Sequence, residues 1–357
     1  MGSGSAHDTG LSCGGARGLA TGKLSSSLLQ SAVLSRTGRR RPEAVVRAGI
    51  GFDSAVLDLG GDLVVLSTDP ITGAASDAGW YSVHIACNDV AACGAEVVGI
   101  LLTVLLPDGA TEQQLVDLAE GAHQAAAELG IEIIGGHTEV TAAVTTPVLS
   151  ATAVGRVRRD ELVRPGGARA GDVLVLTKAA GLEGTSILAE TFAERLRAAG
   201  VGEDVLERAR GLRSRLSVVA DAWAARAFRP SAMHDPTEGG VAGAAFELAE
   251  ASGLGFVLDE ARVPVLDETK TLARVLGCDP LRLISSGALL IAVDEARSAD
   301  LVAALRDGGF GGAVVGRMAP AGGGRQVLRV SGEREIVTDA PRDELWRLLE
   351  EASAGRG

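Results

Sequence analysis

Apolar and polar positions in the first half of the chain follow strand and helix periods in turn. The apolar runs at 55–59 and 63–67, separated by a Gly-Gly-Asp turn, predict a β-hairpin. The segment 111–129 has a helical pattern that opens with a capping box and stops at Gly130. The other elements predicted here are helices at 24–35 and 80–94 and strands at 97–106, 131–134 and 148–157. This order favours an α+β domain with its helices on one face of a sheet.

Residues 158–171 are rich in charge, proline and glycine, which is typical of a domain boundary. Beyond them the pattern predicts strands at 172–177, 255–258, 288–293 and 312–316, helices near 184–199, 203–227, 239–252, 266–276 and 295–307, and a last helix from about Pro341. The 357 residues suit two domains of about 150 residues each. We predict a flexible arm at 1–22, an N-terminal domain at 23–158, a linker at 159–171 and a C-terminal α/β domain at 172–351.

Composition limits the classes of partner. The formal net charge of -12 repels polyanions, and basic residues are not interleaved with aromatic ones, so we expect no nucleic-acid partner. No run approaches the roughly 20 apolar residues that a membrane helix needs, so we expect no membrane partner. Four cysteines without CxxC spacing fit a reduced cytoplasm. An acidic protein that holds a nucleotide needs a divalent cation between its carboxylates and the phosphates.

Two familiar nucleotide motifs fail at the positions where they begin. A P-loop ending at Gly22 and Lys23 would need glycine and Ser or Thr where Arg17 and Leu24 stand. The pair Gly49 and Gly51 lacks the third glycine of a dinucleotide loop. Any nucleotide site must therefore be built from other residues.

Several carboxylates stand at places that structure alone does not demand. Asp53 precedes a predicted strand and Asp69 ends one, and each also suits an ordinary turn aspartate. Asn88 and Asp89 interrupt an apolar helix. Because a buried unpaired carboxylate is costly, we expect Asp89 to meet a cation or a hydrogen-bond network, the alternative being a capped structural aspartate.

Two glycine-rich segments add further candidates. In 135–139, directly after a predicted strand, paired glycines let backbone N–H groups approach an anion, and Thr138 and Glu139 offer a hydroxyl and a carboxylate for a metal or ribose. A tight turn carrying an ordinary loop histidine, His137, is the alternative. In 233–240, the predicted helix N-terminus offers an anion site and Asp235 a metal ligand, the alternative being a well-capped loop.

Taken together, these segments resemble the aminoimidazole ribonucleotide (AIR) synthetase superfamily, which includes thiamine-monophosphate kinase, selenophosphate synthetase and the hydrogenase maturation dehydratase HypE. The resemblance runs in order from about Gly22 to Pro320. Its motifs are Gly51-x-Asp53-x-Ala55, Thr68-Asp69, Asn88-Asp89-x-Ala-x-x-Gly94, Gly135-Gly136-x-Thr138 and His234-Asp235-Pro236-Thr237-x-Gly239-Gly240. The last of them is closest to the HypE branch.

The resemblance implies a PurM-like two-domain fold whose N-terminal sheet pairs with a second subunit in a homodimer barrel. It implies ATP and Mg²⁺ as cofactors, with Asp53, Asp69, Asp89 and Asp235 as metal ligands. It further implies nucleotide contacts from Lys23, Asn88, Gly135, Gly136, Thr138, Glu139, Thr237, Gly239 and Gly240. Asp235, His137 and His234 become the candidate catalytic residues.

The chain also departs from the HypE branch. It ends in Ala-Gly-Arg-Gly where HypE carries a reacting cysteine, so we expect a reaction other than the usual one of HypE. His137 and Ser286 stand where HypE-like sequences commonly have Asp and Glu. We expect ATP-dependent phosphorylation of an amide or carbonyl oxygen of a small-molecule or protein-borne acceptor, with release of ADP and phosphate. A small-molecule kinase and a non-catalytic nucleotide-binding maturation protein are the alternatives.

Overall fold

The computed structural model describes residues 24–72 and 77–354, so Lys23 and the predicted arm lie outside the described residues. Two sheets with their own helices follow one another along the chain. The elements of the first half are α1 (Ser26–Leu29), β1 (Ala44–Val46), β2 (Ala55–Leu57), β3 (Leu63–Ile71), α2 (Ala78–Ala92), β4 (Glu96–Leu106), α3 (Glu112–Leu129), β5 (Glu132–Val140) and β6 (Val148–Val157).

The first sheet has the strand order β1-β2-β3-β6-β4-β5. Its neighbours pair antiparallel except β4 and β5, which are parallel because α3 crosses over between them. The predicted capping box holds at the start of α3, where Thr111 and Gln114 bond reciprocally, and Gly130 ends the helix in the left-handed conformation. Both α2 and α3 pack on the same face of the sheet over one apolar core. The opposite face is uncovered by the described residues.

Helix α2 is buried along its whole length. Val83, Ala86 and Val90 pack into the core of the first sheet, whereas Ala91 and Ala92 join a cluster with apolar residues of the second half. A helix enclosed on all sides is apolar all round, which explains why its sequence lacks an amphipathic stripe. It also carries Asn88 and Asp89 into the junction between the two halves.

The second half contains a larger number of elements. They are β7 (Val173–Leu176), α4 (Leu182–Thr191), α5 (Ala193–Ala198), α6 (Glu203–Gly211), α7 (Val219–Arg226), β8 (Ala232–His234), α8 (Gly240–Ser252), β9 (Gly255–Asp259), α9 (Asp267–Leu276), β10 (Leu290–Val293), α10 (Glu295–Asp307), β11 (Ala313–Ala319), β12 (Arg325–Leu328), β13 (Arg334–Ile336) and α11 (Glu344–Ala354).

The second sheet has the order β13-β12-β9-β11-β7-β10-β8 and is mainly antiparallel, since only β12 and β9 pair in parallel. Strands β7 and β10 are buried on both faces, as their continuous apolar sequences indicate. The two-domain mixed fold expected from the pattern is confirmed. The second half was expected to be α/β, but its sheet is largely antiparallel, so this half is α+β.

One predicted loop is wrong. Residues 135–139 belong to β5, which continues to Val140 instead of ending near 134. The pairing of β4 with β5 shifts register just before Gly135, so the glycine pair accommodates a bulge. Gly136 has φ +146°, and an added Cβ would lie 1.9 Å from the carbonyl oxygen of Leu102. The glycines therefore serve close strand packing, not a turn.

Candidate active site

Four aspartates from both halves of the chain meet at the junction, and we refer to Asp53, Asp69, Asp89 and Asp235 as the aspartate cluster. Asp53 precedes β2, Asp69 lies in β3, Asp89 in α2 and Asp235 follows β8. The Ser67 hydroxyl donates to Oδ2 of Asp89 at 2.5 Å and also contacts the backbone oxygen of Asp53 at 2.9 Å. Burial raises the pKa of Asp89 well above its ordinary value, and the other three carboxylates raise it further.

Asp235 is the most exceptional member of the cluster. It is fully buried, and neither carboxylate oxygen has a hydrogen-bond partner among the described residues. Burial and the charge of Asp53 raise its pKa to about 6, although the neighbouring His234 opposes this rise. Ligand atoms of Asp53, His234 and Asp235 lie within 4.8 Å of one another. Clustered carboxylates of this kind repel one another unless a cation joins them, so the donor set fits a divalent cation.

His234 is held between two carboxylates. Its Nδ1 lies 2.8 Å from Oδ2 of Asp53, and its Nε2 lies 2.9 Å from Oε2 of Glu247. Burial lowers the pKa of His234, but Asp53 and Glu247 outweigh it and raise the pKa well above the ordinary value. Both ring nitrogens are therefore engaged by carboxylates, and the catalytic role of His234 stays a prediction. The imidazole links Asp53 to Glu247 of α8 in the second half.

Asn88, which we expected to contact the nucleotide, bonds to the backbone of a neighbouring segment. Its Nδ2 donates to the backbone oxygen of Leu216 at 2.8 Å, and its Oδ1 accepts from the backbone N–H of Val218 at 2.8 Å. The side chain is fully buried. Both ends of the amide are therefore used to tie α2 to residues 216–218, which leaves the aspartate beside it to face the cluster.

The segment 135–139 does not join the aspartate cluster within one chain. The register runs from Asp69 through Ala151 and Leu102 to Gly136, which separates them by three strand spacings, roughly 14 Å. His137 and Glu139 are exposed at the edge strand, with His137 Nε2 3.3 Å from Glu139 Oε2. The expected catalytic role of His137 thus has no support from proximity to the aspartates.

The backbone N–H groups of the glycine pair at the start of α8 already donate to acceptors within the chain. The Gly239 N–H donates to Oδ2 of Asp343 at 2.7 Å, and the Gly240 N–H donates to the Thr237 carbonyl at 3.0 Å. Gly240 has φ +61°, and a Cβ there would lie 2.6 Å from the carbonyl oxygens of Leu281 and Leu283. Both amides therefore bond within the chain, and a nucleotide contact at Gly239 and Gly240 stays a prediction.

Sequence reasoning missed one residue near the cluster. Glu183, in the first turn of α4, is buried, and its Oε2 has no hydrogen-bond partner among the described residues. Burial raises its pKa to about 7; the nearby Ser286 hydroxyl lowers it, and the charges of Asp235 and Glu238 raise it. A glutamate inside the apolar stretch around α4 was the available signal, the same kind that drew attention to Asp89.

Across 24–72 and 77–354, no helix is both long enough and apolar enough to cross a bilayer.

Comparison with known proteins supports the resemblance inferred from the motifs. Residues 51–157 match the family model for the AIR synthase related protein N-terminal domain, and residues 169–328 match its C-terminal domain. The carbamoyl dehydratase HypE of Cupriavidus necator is 32% identical over 268 residues, which cover 72% of this chain and 73% of that protein.

Two solved structures share the fold. Escherichia coli HypE superposes with a TM-score of 0.69 and 25% identity, over 85% of this chain and 94% of that one. A HypE in complex with ATP superposes with a TM-score of 0.67 and 23% identity, over 90% of this chain and 96% of that one. Two family models in the expected order, together with these similarities, show that the chain belongs to the AIR synthase related family.

Proposed function

We propose that this protein is a Mg-ATP-dependent enzyme that phosphorylates an amide or carbonyl oxygen of an acceptor and releases ADP and phosphate. The observation that carries the proposal is the buried Asp235 carboxylate, whose two oxygens lack a partner among the described residues although three more aspartates converge on it. Mg²⁺ binds carboxylate oxygens and, when bound with ATP, neutralises phosphate charge during transfer.

The chain's own residues hold the cluster in place. Ser67 fixes Asp89 by a short hydrogen bond, and His234 fixes Asp53 through Nδ1 while Glu247 anchors the other ring nitrogen. Asp235 enters from the second half, so the site is complete only when both halves are docked. Such positioning matters because phosphoryl transfer depends mostly on alignment and charge neutralisation.

The relation to HypE supports ATP as the nucleotide, since a HypE of the same fold has been solved with ATP. We propose that the nucleotide extends from the aspartate cluster towards Thr138 and Glu139, with Lys23 contacting it. The roughly 14 Å between β3 and β5 is comparable to the length of an extended nucleotide. Thr237 remains a proposed contact through its side chain, while its backbone oxygen accepts from the Gly240 N–H.

We also propose that the protein forms a homodimer through the uncovered face and free edge of the first sheet. Four large apolar residues are exposed there at 43% or more: Val98, Leu101, Ile134 and Val140. Unpaired edge strands and exposed apolar patches are surfaces that soluble proteins cover. A second copy would bury them and bring further groups to the nucleotide.

The division of the chain is part of the same proposal. Residues 23–158 and 172–351 form the two domains and 159–171 the linker, a division supported by the two separate sheets and the two separately matching family models. The acceptor, a small molecule or a group borne by another protein, would then bind beside Asp235.

Phosphorus NMR of an ATP reaction with candidate acceptors tests this function. We expect resonances of ADP and free phosphate to grow together when the acceptor is present. A persistent phosphoester resonance would replace the proposal with a small-molecule kinase. Tight Mg-ATP binding without turnover across the acceptors would replace it with a non-catalytic nucleotide-binding role.

A further inference from the structure

Lys178 is a cation buried in the second half of the chain, two residues after β7. Its Nζ donates to both carboxylate oxygens of Asp221 at 2.8 Å, and to the backbone oxygens of Ser217 at 2.9 Å and Gly287 at 2.7 Å. The carboxylate offsets the buried charge, and the two carbonyls take up the remaining hydrogen-bonding capacity of the ammonium. A single side chain therefore joins two backbone segments that lie far apart in sequence.

The backbone at Lys178 is strained. Its φ of +48° lies in the left-handed region, and Arg229 is the one other non-glycine residue with a positive φ in the described ranges. A residue with a Cβ is disfavoured in this conformation, whereas glycine adopts it freely. Strain of this kind persists where surrounding interactions outweigh it. At this position the bonds of the ammonium are those interactions, so the lysine does more than fill space.

The first of the two carbonyls belongs to the segment that holds α2. The Asn88 amide donates to the carbonyl of Leu216 and accepts from the N–H of Val218, so it bonds the residues on either side of Ser217. Asp89 is the next residue of α2. The ammonium therefore holds the same three residues that hold Asp89 in place.

The second carbonyl belongs to the segment that supports Asp235. The Ser285 N–H donates to the carbonyl of Pro236 at 3.1 Å, and Pro236 directly follows Asp235. Gly287 has φ +101°, and a Cβ there would lie 2.6 Å from the carbonyl oxygen of Arg215. The two segments bonded by the ammonium thus also pack directly against each other, and no side chain fits between them.

We propose that Lys178 is a positioning residue, which fixes the separation of Asp89 and Asp235 across the junction of the two halves. Both aspartates are buried, and the segments that hold them are bonded to the same ammonium. The inference rests on the proposed function, because this separation matters when one cation must bind both carboxylates. Mg²⁺ demands near-ideal geometry, so a small change in the separation weakens its binding. Lys178 itself contacts neither the cation nor the nucleotide.

The double variant Lys178→Met/Asp221→Leu tests this role. It replaces the ion pair by apolar side chains of similar size, a change that often leaves stability unaltered, and it removes both bonds to the carbonyls. Calorimetric titration of ATP at a series of Mg²⁺ concentrations measures how much Mg²⁺ binding requires. We expect this requirement to rise at least about tenfold, as for other residues that orient metal ligands. The urea midpoint of unfolding should stay close to that of wild type.

The matched control is Arg325→Met/Glu250→Leu, which removes an ion pair of 2.5 Å elsewhere in the second half. Arg325 lies in β12, five strand spacings or roughly 24 Å from β8, the strand that leads to Asp235. This variant should keep the wild-type Mg²⁺ requirement, because neither carbonyl segment is touched.

An unchanged Mg²⁺ requirement in the folded Lys178→Met/Asp221→Leu variant would overturn the inference and show that the ion pair is structural only. Failure of the wild type to bind Mg-ATP is a separate result, because it removes the proposed function itself. If the double variant does not fold, Asp221→Asn decides the question, since it keeps the size of the side chain and removes the charge that holds the ammonium. It should raise the Mg²⁺ requirement by about threefold, and no rise would equally overturn the inference.

Discussion

Two fully enclosed carboxyl groups lie at the junction, and their protonation affects the stability of the folded chain. Asp235 and Glu183 are both enclosed, and burial raises the pKa of each. Neither is placed for packing, because apolar residues of similar size would fill the same space without leaving unpaired oxygens. Functional sites commonly retain such groups at the expense of stability.

The raised pKa of Glu183 predicts that wild type and Glu183→Gln differ in unfolding free energy by an amount that depends on pH. The pKa of Glu183 rises from an ordinary 4.5 to about 7 in the folded chain. Folding therefore favours the protonated form of Glu183. The stabilisation that results from the raised pKa is complete below pH 4.5 and is lost as the pH rises through 7. Gln cannot lose that contribution, so above pH 7 the variant should gain about 3 kcal/mol in unfolding free energy over wild type.

Urea unfolding at pH 5 and pH 8 measures this difference. The advantage of Glu183→Gln over wild type should be small at the lower pH and large at the higher one. Glu190→Gln, which changes an exposed glutamate on the same helix, should show no such change. An advantage that is equal at both pH values would contradict the raised pKa of Glu183.

Among single residues, the sequence predicted which aspartates come together but did not predict the side chains that hold them in place. Asp89 was visible because a carboxylate interrupts an apolar helix, and the structure does bring it to Asp53, Asp69 and Asp235. His234 was also a predicted site residue, but its two carboxylate partners were not predicted. Glu247 lies thirteen positions away on α8, so no local motif links it to His234. The pairing of such side chains depends on how the halves dock, which local pattern does not contain.

Among the elements, the long periodic ones were predictable and the short or bulged ones were not. Helices α2 and α3 and strands β4 and β6 follow from their patterns. Strands β1, β8 and β13 have three residues each and were not predicted, whereas the equally short β2 was predicted because a Gly-Gly-Asp turn follows it. The glycine pair in β5 resembles a turn in sequence but lies inside a strand. The helix predicted at 203–227 is interrupted at Leu212–Arg215, where a 3-10 turn separates α6 from α7.

Helix α2 gives a prediction at this scale. Asn88→Ala removes both hydrogen bonds to residues 216–218 and leaves a buried carbonyl and a buried N–H unpaired. We expect the unfolding free energy to fall by about 2 to 4 kcal/mol, measured by urea denaturation. Gln113→Ala, on the exposed face of α3, is the control and should change it by less than about 0.5 kcal/mol. A similarly small effect of Asn88→Ala would return Asn88 to the nucleotide contacts.

At the scale of the whole molecule, the candidate site lies where the two halves of the chain contact each other. Asp53 and Asp69 come from one sheet region, whereas Asp235 comes from the other half, so the site exists only at their junction. Family resemblance predicted this convergence, but no periodicity within either half could have done so. The uncovered face of the first sheet is the surface through which we propose that a second copy binds.

The proposed dimer interface gives a prediction at the scale of the assembly. Leu101→Lys places a charge in the exposed apolar patch, which should convert the dimer to a monomer in light-scattering chromatography. Val330→Lys, at a still more exposed apolar position in the second half, should leave the dimer intact. A wild type that is monomeric at all concentrations would exclude the interface.

Calorimetric titration with Mg-ATP determines whether the aspartate cluster binds this nucleotide complex. Asp89→Asn and Asp235→Asn each remove one charge from the cluster while preserving side-chain volume. We expect each to weaken Mg-ATP binding by at least about tenfold, because fewer carboxylates remain for the cation. The control Asp172→Asn changes a buried aspartate that caps a turn outside the cluster, and it should retain wild-type affinity. Wild-type affinity in both cluster variants would contradict the assignment.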